Sequence, residues 1–317
     1  MRLVFCGTPG FAVPTLDALV DAGHEIALVV TQPDRPVGRR QVMTAPAVKL
    51  RALERGLTVD QPESIRRNEA FRARLEEIAP EVIVVVAYGR ILPEWMLALP
   101  RLGCINLHAS LLPRHRGAAP IQWALAMGDA VTGNTTMRLD AGLDTGPILL
   151  RQEVPVLPEQ TSVEMFQVLA ERGAPLMVET LQGLAAGTIE PKPQDASRAT
   201  LARLLEREDG RMDFARQTAT ELWNRWRGFQ PWPGIFTSWQ GKKLIAHRVA
   251  VADMRKIAEP GTAFRDGQRL FVACAEGSWL ELLEVQMEGR ARMKAGEFLR
   301  GAGAELHFGE VGAQTEQ

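Results

Sequence analysis

The sequence predicts an α/β protein of two domains: a doubly wound, mostly parallel sheet of Rossmann-like arrangement with helices on both faces, followed by a small OB-like β-barrel. Three observations lead there. A chain of 317 residues is about twice the usual length of one domain. Its first half alternates short β-branched runs with longer amphipathic stretches, the pattern of βαβ units. Its last third carries short apolar runs spaced by Gly and Asp without long helices between them, as small barrels do.

In chain order, the expected strands of the first domain are Leu3 to Cys6, Glu25 to Thr31, Val82 to Ala87, Cys104 to His108 and Thr135 to Leu139. The run Val82-Ile83-Val84-Val85-Val86 is apolar at every position, as a strand buried on both faces must be, and should lie centrally. Pro14 to Val20, Ala45 to Arg55, Glu69 to Ile78 and Ala118 to Met127 read as the crossover helices. A last helix should begin near Thr161, where Thr161 and Glu164 have capping-box spacing, and Gly173 and Pro175 should bend or split it. The segment IEPKPQDASRATLARLLEREDG lacks strand periodicity and reads as a linker crossing a domain surface. The domains are therefore set at residues 1–189 and 208–317, with 190–207 between them. In the second, a helix places Leu222, Trp223 and Trp226 on one face and pairs Glu221 with Arg225 at i,i+4; strands follow at Lys243 to Val251, Arg269 to Ala273 and Trp279 to Val285.

Composition removes several classes of function. With 46% hydrophobic and 24% charged residues the chain is neither disordered nor of low complexity. Lys and Arg number 37 against 38 Asp and Glu, so attraction to a polyanion has to come from local patches. Cys6, Cys104 and Cys274 lie far apart without a CxxC pair, which disfavours a disulfide framework or a cysteine-rich zinc site and suits a reducing cytoplasm. The apolar run at the N-terminus stops at Cys6, too short for a signal-peptide core or a membrane span, so a cytoplasmic protein with no membrane partner is expected. The turn Gly7-Thr8-Pro9-Gly10 is not GxGxxG, which disfavours a dinucleotide, and no GxxxxGK[ST] loop is present for ATP or GTP. HExxH is absent and the five histidines do not cluster, so no metal is required.

The informative segment runs Cys104-Ile105-Asn106-Leu107-His108-Ala109-Ser110-Leu111-Leu112-Pro113. Side chains alternate along a strand, so Asn106 and His108 share one side while Ile105 and Leu107 take the other. Both polar residues fall near the carboxyl end of an expected parallel strand, where the ligand crevice of an open α/β sheet lies. An amide beside an imidazole suits addition of a nucleophile to a carbonyl, the amide stabilising the oxyanion and the imidazole accepting a proton. That pair suggests acyl or formyl transfer. Downstream, Leu139-Asp140-Ala141-Gly142-Leu143-Asp144-Thr145-Gly146 ends another strand with two carboxylates, either of which could orient His108; an Asx-turn is the structural alternative for each.

With these residues in view the chain resembles the methionyl-tRNA formyltransferases. The likeness runs along essentially its whole length: GTPGFA, TQPDRPVGR, VVVAYGRILP, INLHASLLPRHRGAAPIQWAL, GLDTGPIL, PKPQD and FQPWPG in that order. The resemblance implies transfer of a formyl group from 10-formyltetrahydrofolate, as co-substrate, to the α-amino group of initiator methionyl-tRNA. It implies Asn106, His108 and Asp144 as catalytic residues, and so prefers Asp144 over Asp140. It implies folate contacts from Ser110, Leu111, Leu112 and Pro113, the family's SLLP signature, and from the backbone around Tyr88, Gly89, Arg90, Ile91 and Leu92. Phe11, read alone a core residue, matches an aromatic that faces the methionyl end.

The stretch from Gln32 to Lys49 carries Arg35, Arg39, Arg40 and Lys49 against one acid, Asp34. A long basic loop beside the crevice can follow a tRNA acceptor stem, and by resemblance this loop does, with Arg39 at the best-matched basic position. The sequence departs from the family afterwards, at Arg40-Gln41-Val42-Met43, where relatives commonly carry a glycine and lysines. Residues 208–300 hold 15 Lys plus Arg and 12 Asp plus Glu, a mild basic excess. A monomer is expected. The nearest alternative keeps the chemistry and changes the acceptor to a nucleotide-linked amino sugar; a non-catalytic RNA-binding protein is a third reading, disfavoured because a scaffold needs no amide, imidazole and carboxylate at one crevice.

Overall fold

A computed structural model describes residues 1–38, 41–302 and 307–309. The elements run β1 (Arg2–Gly7), α1 (Val13–Asp21), β2 (Glu25–Val30), β3 (Arg35–Val37), β4 (Val42–Thr44), α2 (Ala47–Glu54), β5 (Val59–Asp60), α3 (Glu69–Ile78), β6 (Val82–Val86), α4 (Glu94–Ala98), β7 (Cys104–His108), α5 (Pro120–Ala126), β8 (Val131–Arg138), β9 (Ile148–Pro155) and α6 (Ser162–Ala186). There follow α7 (Ala219–Gly228), β10 (Ile235–Trp239), β11 (Lys242–Ala252), β12 (Ala263–Asp266), β13 (Arg269–Ala273), β14 (Trp279–Met287), β15 (Met293–Lys294) and α8 (Ala295–Gly301). Two compact units emerge: residues 1–120, 131–156 and 164–203 form the first, and 121–130, 157–163 and 204–317 the second.

The first unit is built on a seven-stranded sheet in the order β5-β2-β1-β6-β7-β8-β9. The strands from β5 to β7 are parallel, whereas β8 runs antiparallel to both β7 and β9. β6 takes the middle position and all five of its residues are buried, as its unbroken apolar run demands. β9 has no counterpart in the sequence reading, because Arg151, Gln152 and Glu153 interrupt its apolar run on an edge strand. β3 and β4 pair as a separate two-stranded hairpin in what reads as a loop; all six residues are exposed, so no apolar alternation announces them.

The expectation that Gly173 and Pro175 would bend or split the last helix is corrected: α6 is one helix of 25 residues with Pro175 inside it. Proline removes one helical N–H and crowds the preceding turn, but Met165, Leu169, Ala174, Met177 and Leu181 are all buried and hold the helix in place. Polar ties from β8 add to that packing, for Asn134 Nδ2 donates to the Leu169 carbonyl (2.9 Å) and the hydroxyls of Thr136 and Thr180 lie 2.8 Å apart. Gly173 is a contact point and not a breaker: a Cβ there would come within 2.6 Å of Leu107 Cδ2 on β7.

In the second unit β10-β11-β14-β13-β12 form an antiparallel sheet, with β15 paired to β14. Its core gathers Leu222, Leu244, Leu270, Leu280, Leu282 and Phe298, with Trp223 and Trp226 packed against it. The expected Glu221–Arg225 pair is also corrected. Glu221 Oε2 instead accepts from the Thr218 N–H (2.7 Å) while Thr218 Oγ1 accepts from the Glu221 N–H (3.2 Å), a capping box at the start of α7. Arg225 donates to the Asp209 carbonyl (3.1 Å). Satisfying an orphan N–H at a helix start outweighs an exposed ion pair.

Among the described residues no helix is long and apolar enough to cross a membrane. The three cysteines are free and buried, and burial pushes the Cys104 and Cys274 thiols up to about 12 and raises Cys6 well above its ordinary range. Thiolate is the reactive form. Iodoacetamide at pH 8 should therefore leave all three cysteines of the native protein unmodified over the time in which the urea-unfolded protein reacts completely; rapid labelling of the native protein would contradict this packing.

Candidate active site

The site is organised on β7. Leu107 points toward α6, where it meets Gly173, so the alternation of the strand turns Asn106 and His108 to the opposite face. Both side chains are nearly buried, at 9% and 6% exposure, which is unusual for polar groups without a task or a full set of partners. Register places Asn106 beside Val85 of β6 and His108 opposite Thr135 of β8.

His108 Nε2 lies 2.8 Å from the carbonyl oxygen of His115. A carbonyl oxygen can only accept, so Nε2 carries the hydrogen and, in the neutral ring, Nδ1 is left with the lone pair. Asp144 Oδ2 sits 3.6 Å from that Nδ1. The same carboxylate oxygen accepts the Gly117 N–H at 2.8 Å, which holds it in place. Asp144 itself adopts φ +52°, a backbone conformation that costs energy for a residue with a Cβ and recurs at functional sites. The other carboxylate takes a different part: Asp140 Oδ1 accepts from the Gly142 N–H (3.0 Å) and from Thr145 Oγ1 (2.8 Å), the Asx-turn that shapes the loop. Asp144, not Asp140, thus stands beside the imidazole. The Asn106 amide hydrogen-bonds no protein group among the described residues, leaving its N–H donors uncommitted.

Residues 110–113 leave β7 as a short loop containing a cis Leu112–Pro113 bond. Thr135 Oγ1 pins it, donating to the Ser110 carbonyl (2.6 Å) and accepting from the Leu112 N–H (3.1 Å). Arg151 Nη1 donates to the Leu112 carbonyl (3.2 Å). The Ser110 hydroxyl donates to the Arg114 carbonyl (2.7 Å), Ser110, Leu112 and Pro113 are buried, and Leu111 is half-buried.

A second cluster forms where β1, β2 and β6 end. Thr8 Oγ1 donates to the Tyr88 carbonyl (3.0 Å), and Gln32 Nε2 donates to the same oxygen (3.2 Å). Gln32 Oε1 accepts from Arg90 Nε (3.1 Å), whose Nη1 reaches the Pro62 carbonyl (3.0 Å). Gln32, absent from the sequence-derived site, therefore joins three strand ends; only its position just past the expected strand Glu25 to Thr31 signals it. Tyr88 and Leu92 turn into the core, the Tyr88 hydroxyl without a partner among the described residues, while Ile91 is 82% exposed. Thr8, Gln32, Arg35, Val37, Thr44 and Gly89 line a cavity of about 440 Å³. Phe11 is buried, edge-on to Phe166 at 5.4 Å between ring centroids.

Of the basic residues, Arg35 is exposed on the hairpin, whereas Lys49 is held by Asp34, with Nζ 2.8 and 2.9 Å from its carboxylate oxygens. That contact, with a bond from Gln61, keeps the Asp34 carboxyl below the usual carboxylate range. Arg39 and Arg40 lie outside the described residues.

This geometry can be set against known proteins. Residues 1–181 match the formyl transferase family and residues 204–303 the formyl transferase C-terminal domain. Methionyl-tRNA formyltransferase of Acidobacterium capsulatum is 62% identical over 301 residues, covering 95% of this chain and 96% of that protein. The chain belongs to the methionyl-tRNA formyltransferase family. The family's protein from Koribacter versatilis is 55% identical over 302 residues, again covering 95% of this chain and 96% of its own length. Among solved structures, the sugar 3N-formyl transferase WlaRD, determined with dTDP and 5-N-formyl-THF, superposes with a TM-score of 0.64 at 15% identity over 92% of this chain and 99% of its own. HypX from Aquifex aeolicus, in complex with tetrahydrofolic acid, gives 0.60 at 14% identity over 94% of this chain and 47% of its own. At such identities the likeness is one of fold.

The formyltransferase loop 110–113 depends on the Thr135 hydroxyl for two buried backbone groups. Thr135→Val keeps the shape and leaves a carbonyl and an N–H unpaired, and each such group costs about 1–3 kcal/mol. Urea unfolding of the variant should show a loss of about 2–6 kcal/mol; a change below about 0.5 kcal/mol would contradict the anchoring role.

Proposed function

We infer that the chain transfers the formyl group of 10-formyltetrahydrofolate to the α-amino group of methionyl initiator tRNA, with Asn106, His108 and Asp144 as its catalytic residues. The observation that carries the chemistry is the ordered set His115 carbonyl, His108 ring and Asp144 carboxylate beside an uncommitted Asn106 amide. The acceptor is inferred from relatives named for it that match nearly the full chain.

An α-amino group has a pKa of about 7.7–8.0 in model peptides, so much of the amine is neutral near pH 7.5 and able to attack the formyl carbon. As the new C–N bond forms, the formyl oxygen gains negative charge and the nitrogen becomes cationic. Asn106 Nδ2 donates to that oxygen. His108 accepts the surplus proton at Nδ1, since Nε2 already donates to His115, and Asp144 stabilises the resulting imidazolium across 3.6 Å. Return of a proton to the departing folate nitrogen completes the transfer. The cavity of about 440 Å³ lies within the range of small-molecule sites; Gln32, Gly89 and Thr8 line it, and together with the buried loop 110–113 they offer the polar backbone and amide groups a pterin ring requires. Tyr88 and Leu92 would serve this site through the backbone they hold, and Arg90 through its side-chain bond to Gln32.

The exposed hairpin of β3 and β4 with Arg35, and the mild basic excess of residues 208–300, would meet the tRNA phosphates. Lys49 contributes less, being neutralised by Asp34.

Two measurements test the reading. Asn106→Ala should lower kcat by about 10²–10³-fold, the usual loss for one oxyanion donor, with the dissociation constant for formyl-folate nearly unchanged; near-wild-type turnover would overturn the assignment. KM for tRNA should rise steeply between 50 and 200 mM salt, as expected for about several phosphate contacts, while KM for formyl-folate should change little. Equal salt dependence for both substrates, or preference for a nucleotide-linked amino sugar over the tRNA, would contradict the proposed acceptor.

A further inference from the structure

The segment after α6 reads as a linker crossing a domain surface, and its hydrogen bonds tie it firmly to that surface. Gln194 donates from Nε2 to the carbonyl oxygens of Asp144 (2.8 Å) and Gly146 (2.7 Å), and its Oε1 accepts from Arg116 Nη2 (2.8 Å) and Nε (3.1 Å). Before it, Lys192 and Ile148 exchange two backbone bonds of 2.8 Å, which ties the segment to the start of β9. After it, Thr200 Oγ1 accepts the His115 N–H (2.8 Å), the Thr200 carbonyl accepts the Arg116 N–H (2.8 Å), and the Ala202 N–H donates to the Arg116 carbonyl (2.7 Å).

These contacts fall on the two loops that face His108. One loop supplies the His115 carbonyl that receives Nε2–H, and the other supplies the Asp144 carboxylate near Nδ1. We propose that residues 192–202 brace both loops, and that Gln194 is a positioning residue that sets Asp144 for its work on His108. The proposal rests on the catalytic reading of Asp144 given above.

The chemistry of the side chain supports it. Two carbonyl oxygens on one side and a guanidinium on the other call for a group that donates twice and accepts, which a primary amide does and a carboxylate cannot. Asp144 sits at φ +52°, so its loop must be held from outside. Its carboxylate accepts from the Gly117 N–H, and Gly117 is adjacent in sequence to Arg116, so Gln194 links the loop of His115 and the loop of Asp144 through a single side chain. Groups that orient a catalytic side chain commonly matter by about 10–100-fold when removed.

The test uses the full-length enzyme and four forms: wild type, Gln194→Glu, Asp144→Asn and the double variant. Q194E keeps the size of the side chain and its acceptors for Arg116 while losing both donors. Its kcat should fall by about 10–100-fold, with KM for formyl-folate and for tRNA within about threefold of wild type and the melting temperature little changed. Because Gln194 acts through Asp144, Q194E should cost less than about twofold further in the D144N background, the non-additivity expected of coupled groups. Wild-type kcat in Q194E, or a loss that multiplies fully with that of D144N, would overturn the brace. If Q194E does not accumulate in folded form, Arg116→Met reads the same coupling from the other end: a loss of kcat that disappears in D144N supports the proposal, and no loss, or one that persists there, overturns it. The two readings fail separately. Wild-type turnover in D144N would remove the catalytic reading of Asp144, whereas an impaired D144N beside an unimpaired Q194E would remove only the brace.

Discussion

The bond from His108 Nε2 to the His115 carbonyl oxygen, 2.8 Å long and buried, is the constraint on which the crevice depends. Because its acceptor has no hydrogen to offer, the tautomer of the ring is decided by the backbone and not by substrate. The atom left with the lone pair in the neutral ring is then Nδ1, the one that lies 3.6 Å from Asp144 Oδ2. Were the carbonyl to move away, both ring nitrogens would compete for the hydrogen and the carboxylate would draw it to the wrong side. The surroundings prevent this: His115 is 2% exposed, its N–H is taken by Thr200, and β7 is buried from end to end.

The sheet explains why a strand, and not a flexible loop, carries the two polar side chains. β7 is the last of the parallel strands, so one of its neighbours, β6, ends at the same edge while the other, β8, arrives antiparallel. The parallel neighbour contributes the turn from Ala87 to Arg90 and, with β1 and β2, the cluster around Gln32. The antiparallel neighbour contributes Thr135, which sits opposite His108 and fixes the loop 110–113. The two kinds of strand pairing thus have different parts: the parallel side builds a cavity from strand ends, and the antiparallel side supplies an anchor for the loop 110–113 from the middle of a strand.

How far the sequence could be read follows from what each part depends on. Elements buried on both faces, such as β6, or with a polar pair on one face, such as β7, carry their pattern in adjacent residues. The choice between Asp140 and Asp144 was open on spacing alone, because an Asx-turn and an ion partner look alike until a third group, Gly117 in this case, arrives from elsewhere in the chain. The continuity of α6 was illegible for a similar reason: Pro175 and Gly173 argue for a break locally, and only burial against β7 and β8 reverses it. Glu221 hydrogen-bonds the N–H at the start of its helix, and its attraction for Arg225 acts without a direct ion pair, so the capping box is what the local geometry shows. The parts played by Gln32, Thr135 and Gln194 are not legible in their neighbours, since each works through groups distant in sequence.

The account stands most directly on the hydrogen position of His108, which nitrogen-15 NMR of the histidine side chains in the resting enzyme can read. With a His108→Gln variant to assign the resonances, the ring should show a hydrogen fixed on Nε2. A hydrogen on Nδ1 with Nε2 bare, or a rapid average of the two tautomers, would contradict it.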